Sequence, residues 1–215
     1  MSIEKKTPES TKKRYPLYLR ALQQLKQRGL TRVMSYQIAN ICNVSADTVR
    51  RDLMFVKHQG KTSSGYDING LIEVLSEELG TSSSDAKLVL IGVGNIGQGL
   101  LKYNYIPAHV GQIVCAYDID PNKIGTTINF VPVYDINSLK DTFPKNCNIA
   151  ILAIPSEAIE DVVSKLVSLK VKAIINFSDG TPRKRNNLVV HQVDLAKIVS
   201  EIIYDFKTES IDKNW

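Results

Sequence analysis

The chain has 215 residues, of which 43% are hydrophobic and 23% are charged. Length and composition indicate an ordinary soluble globular protein with either one large domain or two small ones. No apolar run approaches the ~20 residues that span a bilayer, and the N-terminus lacks the apolar core of a signal peptide. We therefore expect a cytoplasmic protein without a membrane partner.

Charge is distributed unevenly along the chain. The formal net charge is +5, but residues 1–65 carry 13 Lys and Arg against 4 Asp and Glu, whereas residues 66–215 carry 14 against 18. This asymmetry indicates that the N-terminal segment faces a polyanion, with a solvated basic surface as the alternative. The three cysteines, Cys42, Cys115 and Cys147, form no CxxC pair, which predicts buried thiols rather than disulfides or a metal site.

The N-terminal segment has the pattern of a helix-turn-helix. A helix is predicted from Tyr15 to Arg28, with an apolar stripe of Leu17, Leu22 and Leu25. A short helix from Ser35 to Ile41, capped by Ser35, precedes a tight turn, after which Ser45 caps the next helix. Helix, short turn and helix is the arrangement that places a second helix in the major groove of DNA.

The outward residues of this second helix are candidate DNA contacts. We expect Ala46, Thr48, Arg50 and Arg51 to face outward, since short and basic side chains suit base edges and phosphates. The following Gly- and Ser-rich stretch from Gln59 to Tyr66 predicts a hairpin, and hence a winged variant of the motif. A small helical packing or dimerisation domain is the alternative.

Composition also predicts the domain boundaries. An amphipathic helix over Asn69–Leu79 stops at Gly80, and the stretch Thr81–Asp85 is typical of a linker. We therefore expect a winged-helix domain over residues 1–80, a nucleotide-binding domain over residues 85–191 and a separate C-terminal helix over residues 192–215.

Closely spaced glycines follow the first apolar run of the second domain. Gly92 would allow a tight turn after the strand, Gly94 a close approach of a pyrophosphate, and Gly97 close packing of strand and helix. The helix that opens near Asn95 would offer N–H groups to phosphates. Asp118 ends the next strand, 21 residues after Gly97, which suits a carboxylate that binds ribose hydroxyls and favours NAD over NADP. The alternative is a Rossmann-like domain that binds either no ligand or a different nucleotide.

Strands and helices then alternate. Strands are predicted over 148–154, 172–177 and 188–191, and helices over 136–143 and 156–169, which indicates an α/β fold with a Rossmann-like parallel sheet. The last predicted helix, Val193–Phe206, carries a broad apolar face that either docks on its own domain or joins a second subunit. This face consists of Leu195, Ile198, Val199, Ile202, Ile203 and Phe206.

No catalytic constellation accompanies these motifs. His58, His109 and His191 are isolated, and no HExxH, GxSxG or P-loop pattern is present. The length left beside the two domains is too short for a substrate domain. We therefore expect neither catalytic nor metal-binding residues.

Several motifs together resemble the Rex family of redox-sensing transcriptional repressors over nearly the whole chain. The resemblance implies a homodimer with swapped C-terminal helices, two NAD-binding domains and two winged-helix domains that read an inverted-repeat operator in double-stranded DNA. It further implies that NADH closes the dimer and releases DNA, whereas NAD⁺ permits DNA binding. The matching segments are Lys13–Tyr18, Val44–Leu53, Gly65–Asp67, Gly92–Gly97, Tyr117–Pro121, Val131–Tyr134, Ala153–Pro155, Ile175–Phe177 and Val193–Leu195.

The resemblance also assigns roles to single residues. It implies that Asp194 contacts Tyr103 in one redox state and Arg14 when DNA is bound, so these three form the expected switch. The cofactor-binding set that it implies is Gly92, Gly94, Asn95, Ile96, Gly97, Tyr103, Asp118, Ala153, Ile154, Pro155 and Asn176. The expected DNA-binding set is Arg14, Ser45, Thr48, Arg50, Arg51 and Lys61.

The chain departs from the family pattern at three places. The wing keeps Lys61 but lacks a basic neighbour and two glycines, Asn129-Phe130 replaces paired glycines, and Phe177-Ser178-Asp179 replaces Phe-Ala-Pro. The alternatives to a redox-responsive repressor are a small NAD-dependent oxidoreductase, a CoA- or ADP-binding regulatory module, and a paralogue whose DNA binding is independent of nucleotide.

Overall fold

The structure is a computed structural model, and it describes residues 7–56, 65–80, 86–103 and 111–212, without the side chains of 103 and 208–212. The chain divides into two compact units, Met1–Ser84 and Asp85–Trp215. Of the helices in the described residues, none is long and apolar enough to cross a membrane.

The first unit is a small helical domain. Its two short strands pair antiparallel, with Val33 opposite Tyr66. Residues 57–64, which include most of the expected wing and Lys61, lie outside the described residues. In chain order the elements are α1 (Glu9–Lys12), α2 (Tyr15–Gln27), β1 (Arg32–Val33), α3 (Ser35–Cys42), α4 (Ala46–Leu53), β2 (Tyr66–Asp67) and α5 (Ile68–Glu78).

Tyrosines take a larger part in the first core than the sequence predicts. Leu22 and Leu25 are buried as expected, but the expectation for Leu17 was wrong, since its side chain is 48% exposed. The buried face of α2 instead starts with Tyr15 and Tyr18, which lie one helical turn apart and are almost completely buried.

The two helix starts of the predicted motif differ from each other. Ser45 caps α4, since its Oγ accepts a hydrogen bond from the N–H of Thr48 at 3.0 Å. Ser35 is not the cap of α3, as the sequence suggested. The cap is Met34, whose N–H donates to Oε1 of Gln37 at 2.8 Å. Asn43 adopts a left-handed conformation after α3 and turns the chain towards α4.

The second unit is built on one sheet, as the alternating pattern predicts. Among the described residues the strand order is β5-β6-β4-β3-β7-β8-β9, and every neighbouring pair is parallel except β5 with β6. The strands are β3 (Lys87–Ile91), β4 (Gln112–Asp118), β5 (Thr127–Ile128), β6 (Val131–Asp135), β7 (Cys147–Leu152), β8 (Ala173–Asn176) and β9 (Val189–Gln192). The helices are α6 (Asn95–Tyr103), α7 (Leu139–Thr142), α8 (Ile159–Ser168) and α9 (Leu195–Asp212), with short 3₁₀ turns at Ile136–Ser138 and Ser156–Ala158.

Both faces of the sheet are buried. Alternate residues of the central strand β3 enter different cores, Val89 and Ile91 on one face and Leu88 and Leu90 on the other. A parallel strand that is covered on both faces needs such a continuous apolar run.

The described side chains of the terminal helix are not buried against their own domain. Every described side chain from Leu195 to Lys207 is exposed, including the apolar ones of the broad face. The alternative of docking within the chain is therefore wrong for this structure.

Candidate nucleotide site and nucleic-acid interface

Two glycines of the turn after β3 lie where any larger residue would collide with the backbone, as the sequence predicts. Gly92 has a φ of +93°, and a Cβ there would collide with the carbonyl group of Ala153. A Cβ on Gly97 would collide with the carbonyl oxygen of Gly92, so glycine is needed for the helix to pack this closely on the strand. The space around Gly94 is open, because an added Cβ would meet nothing within 4 Å.

Asp118 lies at the carboxyl end of β4 and is 8% exposed. Its Oδ2 accepts a hydrogen bond from the N–H of Val93 at 2.6 Å, and its Oδ1 accepts one from the N–H of Asp120 at 2.9 Å. Lys123 Nζ lies 3.5 Å from carboxylate oxygens of both Asp118 and Asp120. A carboxylate has about four acceptor positions, so Asp118 can still receive hydroxyl groups.

A cavity of about 420 Å³, which we call the Asp118 cavity, opens beside the glycine turn. It lies at the carboxyl ends of β3, β4 and β7, where open α/β sheets bind ligands. Six of the residues expected to bind cofactor line it together: Gly92, Gly94, Asp118, Ala153, Ile154 and Pro155. Lys123 and Lys165 also line it, although no motif in the sequence marked them.

A second cavity of about 720 Å³, the Asp179 cavity, lies at the start of α6. Asn95 and Ile96, both expected to bind cofactor, line it. The rest of the wall comes from α6, from the loop that follows β8 and from the segment Gln192–Ala196, and it includes Phe177, Asp179 and Asp194. One glycine turn therefore has a cavity at each side of it, as a two-part ligand requires.

Asn176 has a different position from the one expected. Its side chain is completely buried and is not among the residues that line either cavity. Its Nδ2 donates to the carbonyl of Gly180 at 2.6 Å and to Oε1 of Gln192 at 2.7 Å, and its Oδ1 accepts from the N–H of Ser178 at 3.1 Å. Asn176 thus supports the loop that forms the wall of the Asp179 cavity.

The expected switch residues are described in part. Asp194 lines the Asp179 cavity, and its Oδ1 accepts a hydrogen bond from the N–H of Lys197 at 2.9 Å, which caps α9. The side chain of Tyr103 lies outside the described residues.

Arg14 has a buried partner within the first unit. Its Nε and Nη2 donate to the two carboxylate oxygens of Asp52 at 2.6 and 2.8 Å, while Tyr18 and Thr11 donate to the same carboxylate at 2.6 and 2.9 Å. Burial alone would raise the pKa of Asp52, but the hydrogen bonds from Arg14, Tyr18 and Thr11 outweigh it and lower this pKa below its usual 3.8. The sequence contains a signal for this cluster, because Asp52 falls on the apolar face of α4 beside Val49 and Leu53.

The second helix of the motif presents both of its arginines to solvent. The side chains of Arg50 and Arg51 are 53% and 74% exposed, and both pair with Asp47. Ser45 is exposed, whereas Thr48 is half-buried and its hydroxyl bonds to that of Ser45 at 2.8 Å. Ala46 does not face outward as expected, since it packs against the core of the first unit.

The cysteines provide no reactive site. Cys115 and Cys147 are buried and Cys42 is partly buried, and all three are free thiols. Burial raises the pKa of Cys115 to about 11, so its reactive thiolate form is scarce at neutral pH. Within the described part of the chain, no group of His, Cys, Asp and Glu side chains could hold a metal ion.

A helix-turn-helix unit joined to a Rossmann-like unit defines a DNA-binding regulator with a ligand-binding domain. Comparisons with known proteins agree with this class. Residues 6–53 match the family described as "Putative DNA-binding protein N-terminus", and residues 83–180 match the family described as "CoA binding domain".

Relatives match over the full length. The chain is 34% identical to the redox-sensing transcriptional repressor Rex of Bacillus licheniformis, with 97% of each chain covered. It is 35% identical to that of Geobacillus kaustophilus, with 94% of each covered. The chain therefore belongs to the Rex family of redox-sensing transcriptional repressors, a family of regulators and not of enzymes.

Solved structures show the same fold. The crystal structure of RSP in complex with β-NAD⁺ and operator DNA has a TM-score of 0.81 and 26% identity, and covers 97% of this chain and 96% of RSP. The complex of RSP with β-NADH has a TM-score of 0.79 and 25% identity, and the match covers 96% of this chain and 97% of RSP.

Proposed function

We propose that this chain is a homodimeric repressor that binds an inverted-repeat operator through its first unit and senses the NADH/NAD⁺ ratio through its second. The observation that carries the proposal is the glycine turn between two cavities, with Asp118 in one of them. A DNA-reading role also supports a cytoplasmic location.

The Asp118 cavity would take the adenosine half of the cofactor. The carboxylate of Asp118 would accept hydrogen bonds from the ribose hydroxyls, while the start of α6 would face the pyrophosphate. Lys123 faces both Asp118 and Asp120, and Lys165 pairs with Asp161. The carboxylates therefore outnumber the ammonium groups beside the ribose, so a phosphate there is disfavoured. This supports NAD⁺ and NADH over NADP and over CoA, which both carry such a phosphate.

The Asp179 cavity would take the nicotinamide half. Asp194 lies in its wall and also caps α9, so any movement of this carboxylate acts on the start of that helix. Asp52 already engages Arg14 in the first unit, and pairing of Arg14 with Asp194 would have to share or replace that contact. This competition gives the switch two distinct arrangements, which a ligand can shift through its differential affinity.

The test is a titration of the full-length protein with NADH and NAD⁺, followed by DNA affinity measurements with saturating NADH, saturating NAD⁺ and no nucleotide. The probe is a duplex selected by this protein from a random-sequence pool. We expect both nucleotides to bind and NADH to weaken DNA binding.

The variant Asp194→Ala should still bind NADH, but NADH should change its DNA affinity much less than it changes that of wild type. Asp141→Asn, which removes an exposed carboxylate from α7, is the matched control. Three indistinguishable wild-type DNA affinities would overturn the sensor and leave a nucleotide-independent repressor.

A further inference from the structure

The loop after β8 brings a charge into the Asp179 cavity that the resembled family pattern lacks. Where that pattern has Phe-Ala-Pro, this chain has Phe177-Ser178-Asp179, and all three residues line the cavity. The exchange replaces an uncharged ring by a carboxylate at the third position.

The backbone that carries this carboxylate is held firmly. Ser178 is 5% exposed, and its Oγ accepts a hydrogen bond from the N–H of Ile154 at 3.1 Å. Gln192 donates from Nε2 to the carbonyl of Ser178 at 2.8 Å, and buried Asn176 bonds to both sides of the loop. Asp179 therefore follows a segment whose backbone is fixed, and its exposed side chain lines the cavity.

The charge of the cavity wall is negative. Its charged residues are Asp179 and Asp194, and among the residues that line it there is no Lys, Arg or His. Within the described part of the chain, Asp179 has no hydrogen-bond or ion-pair partner, whereas Asp194 accepts the N–H of Lys197. The carboxylate of Asp179 is thus available to act on a ligand.

We propose that Asp179 is a specificity-determining residue that favours the cationic nicotinamide of NAD⁺ over the neutral ring of NADH. The proposal rests on the proposed function, because it assigns the nicotinamide half to this cavity. Reduction removes the positive charge from the ring, so a nearby carboxylate attracts only the oxidised form. A charge pair that stays partly solvated corresponds to a preference of about three- to tenfold.

This preference sets the redox ratio at which the protein responds. Asp179 strengthens NAD⁺ binding relative to NADH, so a larger NADH/NAD⁺ ratio is needed before NADH occupies the site.

The experiment compares the dissociation constants of NAD⁺ and NADH for the wild-type protein and for Asp179→Asn, which keeps the shape and removes the charge. The quantity compared is the dissociation constant of NADH divided by that of NAD⁺. We expect this ratio to be about three- to tenfold lower in Asp179→Asn than in wild type. Asp179→Glu should restore most of the preference, and added salt should reduce the wild-type preference more than that of Asp179→Asn. Asp141→Asn is the control for removal of a carboxylate elsewhere in the same unit.

The outcomes separate this inference from the proposed function. If both nucleotides bind and Asp179→Asn leaves their ratio unchanged, Asp179 does not select between them, while the proposed cofactor stands. If Asp179→Asn weakens both nucleotides equally, its role is structural and the inference is again overturned. If the wild-type protein binds neither nucleotide, the proposed function itself is overturned.

Discussion

The buried carboxylate of Asp52 joins three helical segments of the first unit. It is 3% exposed and accepts hydrogen bonds from Arg14, Tyr18 and Thr11. A buried charge is tolerated only when it is fully paired, and removal of one partner leaves the others without compensation. This cluster connects α1, α2 and α4, so the position of α4, which we expect to read DNA, depends on it.

Asp52→Ala should therefore destabilise the first unit by about 3 kcal/mol. Arg14 and Tyr18 would lose their acceptor, and Tyr18 is buried. Hydrogen exchange of peptides from α2 and α4, measured on the full chain, reports on this unit alone. Glu9→Gln, at an exposed position of α1, is the control. Unchanged protection in Asp52→Ala would show that the cluster does not hold these helices.

The same carboxylate predicts a pH dependence. The pKa of Asp52 is lower in the folded chain than its usual 3.8, so its stabilising contribution is complete above that value and is lost as the pH falls through the folded pKa. We expect wild type to lose protection in α2 and α4 as the pH falls below 3.8, a range in which Asp52→Asn changes much less. Parallel losses in the two proteins would assign the acid sensitivity to other groups.

Arg50 of α4 is a candidate side chain for reading a base. It is exposed and held by Asp47 and by the hydroxyl of Ser35, both at 3.3 Å. Arg50→Ala should weaken binding to the selected operator by about 1–3 kcal/mol if the arginine makes a bidentate guanine contact. It should also reduce discrimination against other sequences. Fluorescence anisotropy with selected and scrambled duplexes measures both the affinity and the discrimination. Arg183→Ala is the control, because it removes the same charge from the second unit. Equal affinities of wild type and Arg50→Ala would remove α4 from the reading surface.

Local rules explain which single residues the sequence could predict. The cap at Ser45 and the steric need for Gly92 and Gly97 depend on neighbours close in the chain or on a recurrent turn. The partners of Asp52 lie 34 to 41 residues away, and such pairs follow from tertiary packing. Asn176 was misplaced for the same reason, since its strand motif does not tell whether the side chain faces a ligand or the loop.

At the scale of elements, the turn between β5 and β6 shows where the sequence is under strain. Asn129 and Phe130 both have positive φ, +46° and +66°, in a two-residue hairpin turn that usually contains glycine. Asn129 tolerates this conformation, and its Nδ2 donates to the carbonyl of Leu101 near the end of α6 at 3.0 Å. Phe130 is 94% exposed, so no burial offsets its strain.

Phe130→Gly should therefore stabilise the second unit, by up to about 1 kcal/mol after the entropic cost of glycine is subtracted. Hydrogen exchange of peptides from β4 and β6 in the full chain is the measurement. Phe130→Ala is the control, because it removes the ring but keeps a Cβ at the same φ, and it should show no such gain. Lower protection in Phe130→Gly than in wild type would mean that the aromatic ring contributes a stabilising contact.

Periodicity predicted the existence and order of the elements better than their type and ends. The strands β3, β4, β7, β8 and β9 and the helix α8 lie within a few residues of their predicted positions, because apolar runs and amphipathic patterns are long there. The short strands β1, β5 and β6 were not predicted. The predicted helix over 136–143 is instead a 3₁₀ turn followed by the short α7. Asp135 caps that turn through the N–H of Asn137 at 2.8 Å, a local bond that apolar spacing does not reveal.

At the scale of the whole molecule, α9 is a helix whose described apolar side chains stay exposed in the single chain. Its apolar side chains recur three and four residues apart and form one face, while Lys197, Ser200 and Glu201 lie on the other. Residues on the apolar face such as Ile198 and Ile202 are 45% and 47% exposed. A helix with such a face is stable in water only when another surface covers it, and a second copy of this chain provides the same face.

The double variant Ile198→Glu with Ile202→Glu should therefore dissociate the proposed dimer. Each isoleucine that is covered in the dimer contributes about 1.5–3 kcal/mol, and each glutamate adds the cost of burying a charge. Sedimentation velocity should show monomers, and affinity for an inverted-repeat operator should fall, because two half-sites need two linked heads. Glu201→Lys changes a charge on the polar face of the same helix and should remain dimeric. A double variant that still sediments as a folded dimer would place the subunit contact outside α9.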